Sequence, residues 1–465
     1  MAVSTAHPDY TLHLDEWLTT RDACAGQGAI KGAAERYLPH FSPHDEERYK
    51  QYLKRAYFLG VTGRTKRSLI GMVFRKPPTY TLPASIESLL EDIDGTGQSL
   101  EQLSKAAAGA LLETGRYALL VDYPEAEDGL DSESEARMGM RPTIAAYGAW
   151  NLINWRVEGV RGQQMLTLAV LREVVEKDDF NEFSHDWEYR YRVLRLSDGV
   201  YTQQIYDHAQ QPISEQRVVR AAGQTLDRIP LHIIGAEDNS TSVDMPPLYD
   251  LAIMNIAHYQ TTADHRENLF IHGQVTLGIT SDLSVEEFKQ ANPNGVRVGA
   301  RVGHLLGQQG GFHTATAPES SSLRVALQDL EHQMVMIGAR LIQRGGQAET
   351  AEAARISASA EASTLDTLTN NLSEGIEAAL EDVALFLGES QDSVEYRLNT
   401  DFWESSLDPQ MAMAIIQFGQ QGIVGRQDQL HMIRRGKIEL PEGRTDEQIL
   451  ADASSDMLDN FSEGL

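Results

Sequence analysis

From Ser320 to Gln343 the sequence reads SSSLRVALQDLEHQMVMIGARLIQ, and its pattern sets the plan of the whole chain. Apolar side chains recur here every three or four residues, which is the spacing of one face of an α-helix. They are Leu323, Leu327, Leu330, Met334, Ile337 and Leu341. The spacing predicts a long amphipathic helix that ends at the tetrapeptide Arg344-Gly345-Gly346-Gln347.

Two more long helices are predicted on either side of this one. Pro246-Pro247 opens a helix that runs to about Phe270, because proline fits the start of a helix. After the glycine break, another runs from about Thr350 to Leu387, with small residues in its first half and leucines in its second. At 1.5 Å per residue it spans about 55 Å, which is too long for one small domain. Such helices bury their faces against partners, so we predict an assembly of identical subunits.

A short β module is predicted between the first two of these helices. Its strands are Gln274–Ile279 and Gly295–Leu306, the second of which alternates Val296, Val298 and Val302 with polar or small residues. Residues 307–311, rich in glycine and glutamine, are predicted to form a flexible link to the next helix.

The chain up to Gly115 is predicted to be mainly helical. Residues 1–40 indicate a weak helix and a Gly/Ala-rich stretch, and helices follow at about 42–59, 64–75, 84–92 and 99–114. Ser42 is the predicted N-cap of the first of these, with Pro43 at its first helical position. Ser99 and Gln102 are predicted to form a capping box, and Gly115 to end that helix.

The predicted helix 64–75 is strongly basic. It carries Arg64, Lys66, Arg67, Arg75 and Lys76, and Pro77-Pro78 stops it. Such a run is typical of a phosphate contact or of a solvated or interface face, and the sequence leaves both open.

The middle of the chain is predicted to be rich in antiparallel strands. Tyr117–Tyr123 and Met165–Val175 have strand patterns, and Asp198-Gly199 is a hairpin turn signal between two more. Val394–Trp403 is predicted to be a strand that returns to this lobe. The absence of a β-α-β rhythm indicates the α+β class.

Composition excludes several classes of protein. The 465 residues include 40 Lys and Arg against 68 Asp and Glu, a net charge of −28 that disfavours a DNA binder with a basic footprint. No apolar run is long enough for a membrane span and no export signal is visible. Cys24 is the one cysteine, which excludes an intrachain disulfide and favours a reducing compartment.

No catalytic or cofactor motif is found in the sequence, so no catalytic, cofactor-binding or metal-binding residue is predicted. The P-loop, the G-x-S-x-G elbow and H-E-x-x-H are absent. Asp92-x-Asp94-x-Thr96-Gly97 matches half of a calcium loop, but Leu103 stands at the twelfth position, so a turn is predicted. His258 and His265 are predicted to be helix-surface or interface histidines.

Four multi-residue phrases resemble a group of tailed-bacteriophage portal proteins known as a domain of unknown function. They are YLPHFSPHDEERYKQYLKRAYFLGVTGRTKRSLIGMVFRKPP (37–78), DIDGTGQSLEQL (92–103), ETGRYALLVDYP (113–124) and NLINWR (151–156). The resemblance extends from about Tyr37 to about Phe402. It implies a ring-forming portal fold with an α/β wing, long stem helices, a small α/β clip, a long kinked tunnel helix and a helical crown.

The resemblance also implies a division of the chain into portal regions. An N-terminal arm (1–36) precedes the wing (37–245), which 393–403 completes. The stem helices are 246–270 and 319–343, on either side of the clip (271–318). A tunnel loop (344–350), the long helix (351–388), the crown (404–440) and an acidic tail (441–465) follow.

By the same resemblance, double-stranded DNA passes through a dodecameric ring at one capsid vertex of the virion, which assembles in the host cytoplasm. The implied partners are the terminase large subunit, the head–tail adaptor, and the major capsid and scaffolding proteins. The loop residues Arg344, Gly345, Gly346, Gln347, Ala348 and Glu349 would face the channel, with Arg340 and Arg344 as phosphate contacts or inter-subunit ion pairs. Two alternatives remain: another ring connector or adaptor of the virion, and an acidic intracellular α+β enzyme with an unrecognised carboxylate site.

Overall fold

The computed structural model describes residues 2–40, 45–124, 140–160, 162–177, 183, 185–273, 276–293, 295–296, 304–315, 321–340 and 364–402. The chain divides into two units, Met1–Thr400 and Asp401–Leu465, and the elements named below all lie in the first. Its helices are α1 (Pro8–Ala25), α2 (Gln27–Gly32), α3 (Glu46–Arg55), α4 (Val61–Val73), α5 (Ala84–Glu87), α6 (Leu100–Thr114), α7 (Tyr249–His272), α8 (Val285–Ala291), α9 (Ser321–Arg340) and α10 (Thr364–Leu387).

The strands of this unit form two larger sheets and three short ribbons. They are β1 (Thr79–Thr81), β2 (Arg116–Asp122), β3 (Thr143–Gly148), β4 (Leu152–Val160), β5 (Gln163–Glu176), β6 (Trp187–Ser197), β7 (Val200–Tyr206), β8 (Arg217–Val218), β9 (Arg220–Ala221), β10 (Gln224–Thr225), β11 (Leu231–Gly235), β12 (Thr276–Thr280), β13 (Gly311–Ala315) and β14 (Glu395–Arg397). One sheet has the order β11-β2-β3 and the other β4-β5-β6-β7-β8, while β1-β14, β9-β10 and β12-β13 pair alone. Every pairing among these strands is antiparallel, which confirms the predicted α+β class.

The core of the unit is built by α6, α10 and the β11-β2-β3 sheet. Leu119 and Leu120 of β2 are fully buried, and so are Leu103 and Leu111 of α6. The leucine-rich half of the long helix lies here as α10. Its predicted stripe is buried, at Leu365, Leu368, Leu372, Ile376, Leu380 and Val383. Burial of these aliphatic side chains contributes most of the stabilisation of the unit.

Several predicted helix ends and turns are confirmed. Ser99 and Gln102 form the capping box of α6, and Gly115 ends it in the left-handed conformation, with φ 67°. Asp198 and Gly199 have φ 52° and 74° and join β6 to β7, with Ser197 opposite Val200. These signals depend on neighbouring residues alone, which is why the sequence was enough to find them.

Other predicted boundaries were wrong. The helix predicted over 42–59 is α3, whose N-cap is Asp45 and whose last residue is Arg55, while Ser42 and Pro43 lie outside the described residues. Asp45 caps because its side chain accepts a hydrogen bond from the Arg48 N–H. The helix predicted over 84–92 ends at Glu87. The weak helix expected in residues 1–40 is the 18-residue α1.

The β module differs from its prediction in its second strand. β12 confirms the first strand, but its partner is β13, which begins at Gly311, the last residue of the predicted flexible link. Residues 297–303, most of the predicted partner strand, lie outside the described part. The sequence analysis also missed α8, although Ser284 and Glu287 form a capping box at its start.

Several expectations cannot be compared with the structure because they lie outside the described residues. These are the tunnel loop (344–350), the small-residue half of the long helix (351–363), the crown (404–440) and the tail (441–465).

Candidate functional site

The helices α7 and α9 form a pair with exposed surface that is available to other proteins. The two helices have 24 and 20 residues and contact each other, with the β12-β13 ribbon and α8 between them in the chain. The predicted stripe forms the less exposed side of α9. Of residues 321–338, however, Met334 alone is buried. One side chain in eighteen is too little burial to hold a helix of this length in place.

The other side of α9 exposes apolar side chains. Val325 is 50% exposed, Val335 67% and Met336 48%. On α7, Ile253, Leu269 and Phe270 are also more than 40% exposed. His258 is buried on α7 with its Nε2 3.5 Å from the Glu331 Oε1 of α9, which places it at a helix interface as predicted. Exposed apolar groups on both helices are typical of a surface that another protein covers.

Asn255 fixes the other side of α7 to the start of α4. Its Oδ1 accepts hydrogen bonds from the N–H groups of Val61 and Thr62, both at 3.2 Å, and from Thr62 Oγ1 at 3.0 Å. Its Nδ2 donates to Leu59 O at 2.8 Å. Because α4 has no side-chain cap of its own, this buried amide from α7 supplies one.

Charged groups attach α7 to α3. Arg55 forms an ion pair with Glu267, and its guanidinium lies 3.9 Å from the centre of the Phe270 ring. Tyr52 donates a hydrogen bond of 2.5 Å to Asp264. Burial and the bond to the Asp264 carboxylate raise the pKa of the Tyr52 hydroxyl. These contacts hold α7 against α3, and α9 packs on α7.

The end of α9 lies beside α4. A Cβ added at Gly338 would be 3.9 Å from the methyl group of Thr65, at ordinary contact distance. The outer face of α4 consists of exposed side chains at Arg64, Arg67, Ser68 and Gly71. We call these four residues the arginine face. The neighbouring Lys66 is bound instead to Glu113, 2.6 Å away.

A half-buried polar cluster joins the two larger sheets. Asp122 accepts hydrogen bonds from Arg192 at 3.2 Å, Arg217 at 2.7 Å and Gln203 at 3.1 Å. Glu173 accepts from Arg192 and from the Tyr147 hydroxyl, each at 2.7 Å. Burial and the Glu173 charge raise the pKa of Tyr147. With two arginines balanced by two carboxylates, the cluster is a structural connection.

The buried carboxylate of Asp382 lies where α10 packs on β11. The Asp382 carboxylate, 2% exposed, accepts a hydrogen bond from Arg228 and is 2.8 Å from His232 Nε2. Burial alone would raise the pKa of Asp382, but the hydrogen bond and charge of His232, together with Arg228, lower it below the ordinary value. This triad holds α10 to the sheet.

Arg116, which is buried, and Cys24, which is half-buried, have no part in the helix pair. The guanidinium of Arg116 lies 3.9 Å from the centre of the Trp155 ring, and none of its nitrogens has a hydrogen-bond partner within the described structure. Burial lowers the pKa of Arg116 to about 10, against the opposing charge of Asp244. Burial raises the pKa of the Cys24 thiol to about 12, which makes it unreactive.

Most of the predicted channel residues lie outside the part of the chain that the structure describes. Arg344, Gly345, Gly346, Gln347, Ala348 and Glu349 lie outside the described residues, and Arg340 is the last residue of α9, with its side chain likewise outside. Asp94 forms the predicted turn, accepting hydrogen bonds from the N–H groups of Thr96 and Gln98. Within the described ranges no group of three His, Cys, Asp or Glu could hold a metal ion. No helix in the same ranges is long and apolar enough to cross a membrane.

The residues of the helix pair match one family model. It is described as a domain of unknown function, DUF4055, and matches residues 247–387, from the start of α7 to the end of α10. The phrases that resemble portal proteins all lie before this match. No curated protein matches the chain.

Three solved structures of gene transfer agent (GTA) particles are similar to the chain. "Neck of empty GTA particle computed with C6 symmetry" is 14% identical, with a TM-score of 0.42, over 85% of this chain and 94% of that one. "Virion of native gene transfer agent (GTA) particle" is 13% identical, with a TM-score of 0.41, over 85% and 94%. "Neck of native GTA particle computed with C12 symmetry" is 15% identical, with a TM-score of 0.40, over 87% and 98%. At such identities and TM-scores we take no conclusion about function from the similarity.

Proposed function

We propose that this protein is the portal subunit of a tailed bacteriophage, a structural protein that forms a ring around a DNA channel. The observation that carries the proposal is the exposure of α9. A 20-residue helix with one buried side chain among residues 321–338, and with exposed Val325, Val335 and Met336, needs further contacts. Neighbouring copies in a closed ring supply them on both sides of every subunit.

The order of the elements supports the proposal. The α+β body comes first, α7 leads to the β12-β13 ribbon, and α9 returns along α7. Helix α10 then packs into the core, and β14 pairs with β1 of the body, with Tyr396 opposite Tyr80. We assign 37–245 with 393–403 to the wing, 246–270 and 319–343 to the stem, and 271–318 to the clip. The arm (1–36), the tunnel loop (344–350), the long helix (351–388), the crown (404–440) and the tail (441–465) complete the assignment.

The proposed channel loop follows α9. Gly345 and Gly346 would let it change shape as DNA moves, since glycine adopts conformations closed to other residues. We propose that Arg340 and Arg344 make sparse contacts with phosphates, and that Gln347, Ala348 and Glu349 line the same loop. A net charge of −28 on each copy would repel the duplex and keep it centred. No catalytic role is proposed, and the terminase large subunit would supply ATP hydrolysis.

The proposed partners follow from the same assignment. The strands β12 and β13 pair with no other described strand, so their outer edges are free to bind other chains. We propose that this end binds the terminase and then the head–tail adaptor. The major capsid and scaffolding proteins would surround the wing at the capsid vertex.

The experiment is negative-stain electron microscopy of the purified protein together with its mass in solution. We expect a ring of about twelve copies, roughly 600 kDa from 51.6 kDa each, with an open centre. A monomer or dimer at every concentration would contradict the proposal. A closed ring that binds no terminase would favour the adaptor instead.

A further inference from the structure

The arginine face of α4 carries charge that this chain does not neutralise. Arg64 and Arg67 are exposed, and neither has a carboxylate partner in the part of the chain that the structure describes. Most other described arginines are paired, as Arg55 is with Glu267 and Arg192 with Glu173. Two such arginines on one helix face leave two positive charges open to a carboxylate from outside this chain.

Gly71, on the same face, is a second observation that favours a binding partner. A glycine inside a helix costs about 1 kcal/mol relative to alanine, so it needs a reason. Close packing within this chain is not that reason, because an added Cβ would have nothing within 4 Å. Together with Ser68, one turn earlier, Gly71 leaves a shallow surface beside the arginines where another backbone can approach closely.

The arginine face also continues an apolar surface. Thr65 lies beside the end of α9, where a Cβ added at Gly338 would be 3.9 Å from its side chain. Val335, 67% exposed, is one turn before Gly338, while Ser68 is one turn after Thr65. Apolar side chains beside arginines are the arrangement found at protein interfaces, where arginine is enriched and an apolar centre has a polar rim.

From these observations we infer that the arginine face binds a carboxylate-bearing surface of a neighbouring copy of this chain. This inference rests on the proposed ring and names one of its contacts. A second copy offers the complementary charge, because each carries a net −28. A close approach at Gly71 also suits a protein backbone better than a phosphate chain.

The test compares ring formation of full-length variants by mass photometry. The double reversal R64E/R67E should weaken ring formation, because it places like charges in the contact. The protein concentration at which half of the chains are in rings should rise at least about tenfold. The control K177E/R220E reverses two exposed cations elsewhere and makes the same change in net charge. It should assemble as the wild type does.

A second variant separates assembly from folding. Gly71→Leu fills open space on a helix, so the single copy should keep its thermal midpoint or gain slightly, while the ring is lost. If both α4 variants form rings as readily as the wild type, the inference is wrong and the face is solvated. If R64E/R67E forms rings but loses binding of duplex DNA, a phosphate contact replaces the inference. If the wild type itself forms no rings, the proposed function is wrong. This outcome differs from failure of the contact, in which the wild type and both α4 variants form rings equally well.

Discussion

At the scale of single residues, the buried carboxylate of Asp382 is the clearest source of pH dependence. Its charge is held by His232 and Arg228, so its pKa in the folded chain lies below the ordinary carboxyl value. A depressed pKa contributes stability above the pKa of the unfolded chain, near 4, and loses it as the pH falls through the folded value.

We expect Asp382→Asn to lower the free energy of unfolding at pH 7 by about 2–3 kcal/mol, because it leaves Arg228 and His232 without the carboxylate that they bind. Between about pH 5 and pH 2 the wild type should lose stability faster than the variant, since only the wild type has this carboxylate to protonate. Urea denaturation at a series of pH values measures both effects.

The matched control is Asp392→Asn, the same change at an exposed position. It should shift the free energy of unfolding by less than about 0.5 kcal/mol at every pH. Parallel pH profiles for wild type and Asp382→Asn would show that the triad does not carry the acid sensitivity.

How much the sequence could predict depends, for a residue, on how far away its partner lies. Ser99 and Gln102 were found because both members of the capping box lie within one turn. The capping role of Asn255 could not be predicted, because its partners Val61 and Thr62 are far away in the chain. The arginines of α4 were noted, but only the structure shows which of them are unpaired.

At the scale of elements, the end of α6 combines two demands on one residue. Gly115 has φ 67°, and an added Cβ would lie 2.5 Å from the backbone oxygen of Asp244. The strand β2 starts immediately afterwards, so any shift of this turn moves the centre of the sheet. Both the backbone angle and the lack of space therefore require glycine.

We expect Gly115→Ala to lower the free energy of unfolding by at least about 3 kcal/mol, from backbone strain together with the clash. Gly97→Ala is its control, since Gly97 also has a positive φ, 94°, but nothing lies within 4 Å of an added Cβ. That change should cost about 1 kcal/mol. Equal losses by thermal denaturation would mean that the space at Asp244 is not limiting.

Elements with a long regular pattern were predicted well, and short ones were not. The stripes of α9 and α10 repeat over several turns, so their helices and less exposed faces were placed correctly. β13 has five residues and no alternation of apolar and polar side chains, and only its pairing with β12 makes it a strand. Helix α5 has only four residues, and after it the chain turns at Asp92 and Asp94, which accept hydrogen bonds from nearby N–H groups.

At the scale of the whole molecule, charge governs the encounter with nucleic acid. Each copy carries −28, and Arg64 and Arg67, if covered by a neighbour, no longer face the solvent. A ring of such copies should therefore let a duplex slide instead of holding it.

We expect purified rings to bind a duplex of about 30 base pairs only weakly, with a slope of log affinity against log salt near zero, since few counterions are released. Fluorescence anisotropy at several salt concentrations measures the slope, with an acid-to-neutral variant of the exposed α3 residues Glu46 and Glu47 as the control for general charge. A slope as steep as that of a basic DNA binder would contradict a sliding channel.

The amide of Asn255 ties the beginning of the chain to a residue synthesised much later. It lies 194 positions after Val61, which it caps. At about 5–20 residues per second a ribosome needs roughly 10–40 s to cover that distance, and until then the first turn of α4 has no cap. The pairing of β1 with β14 forms later still, because it needs Arg397. The helix that carries the arginine face is therefore complete at its first turn only after Asn255 has been synthesised, so a chain cut short before that residue lacks this cap.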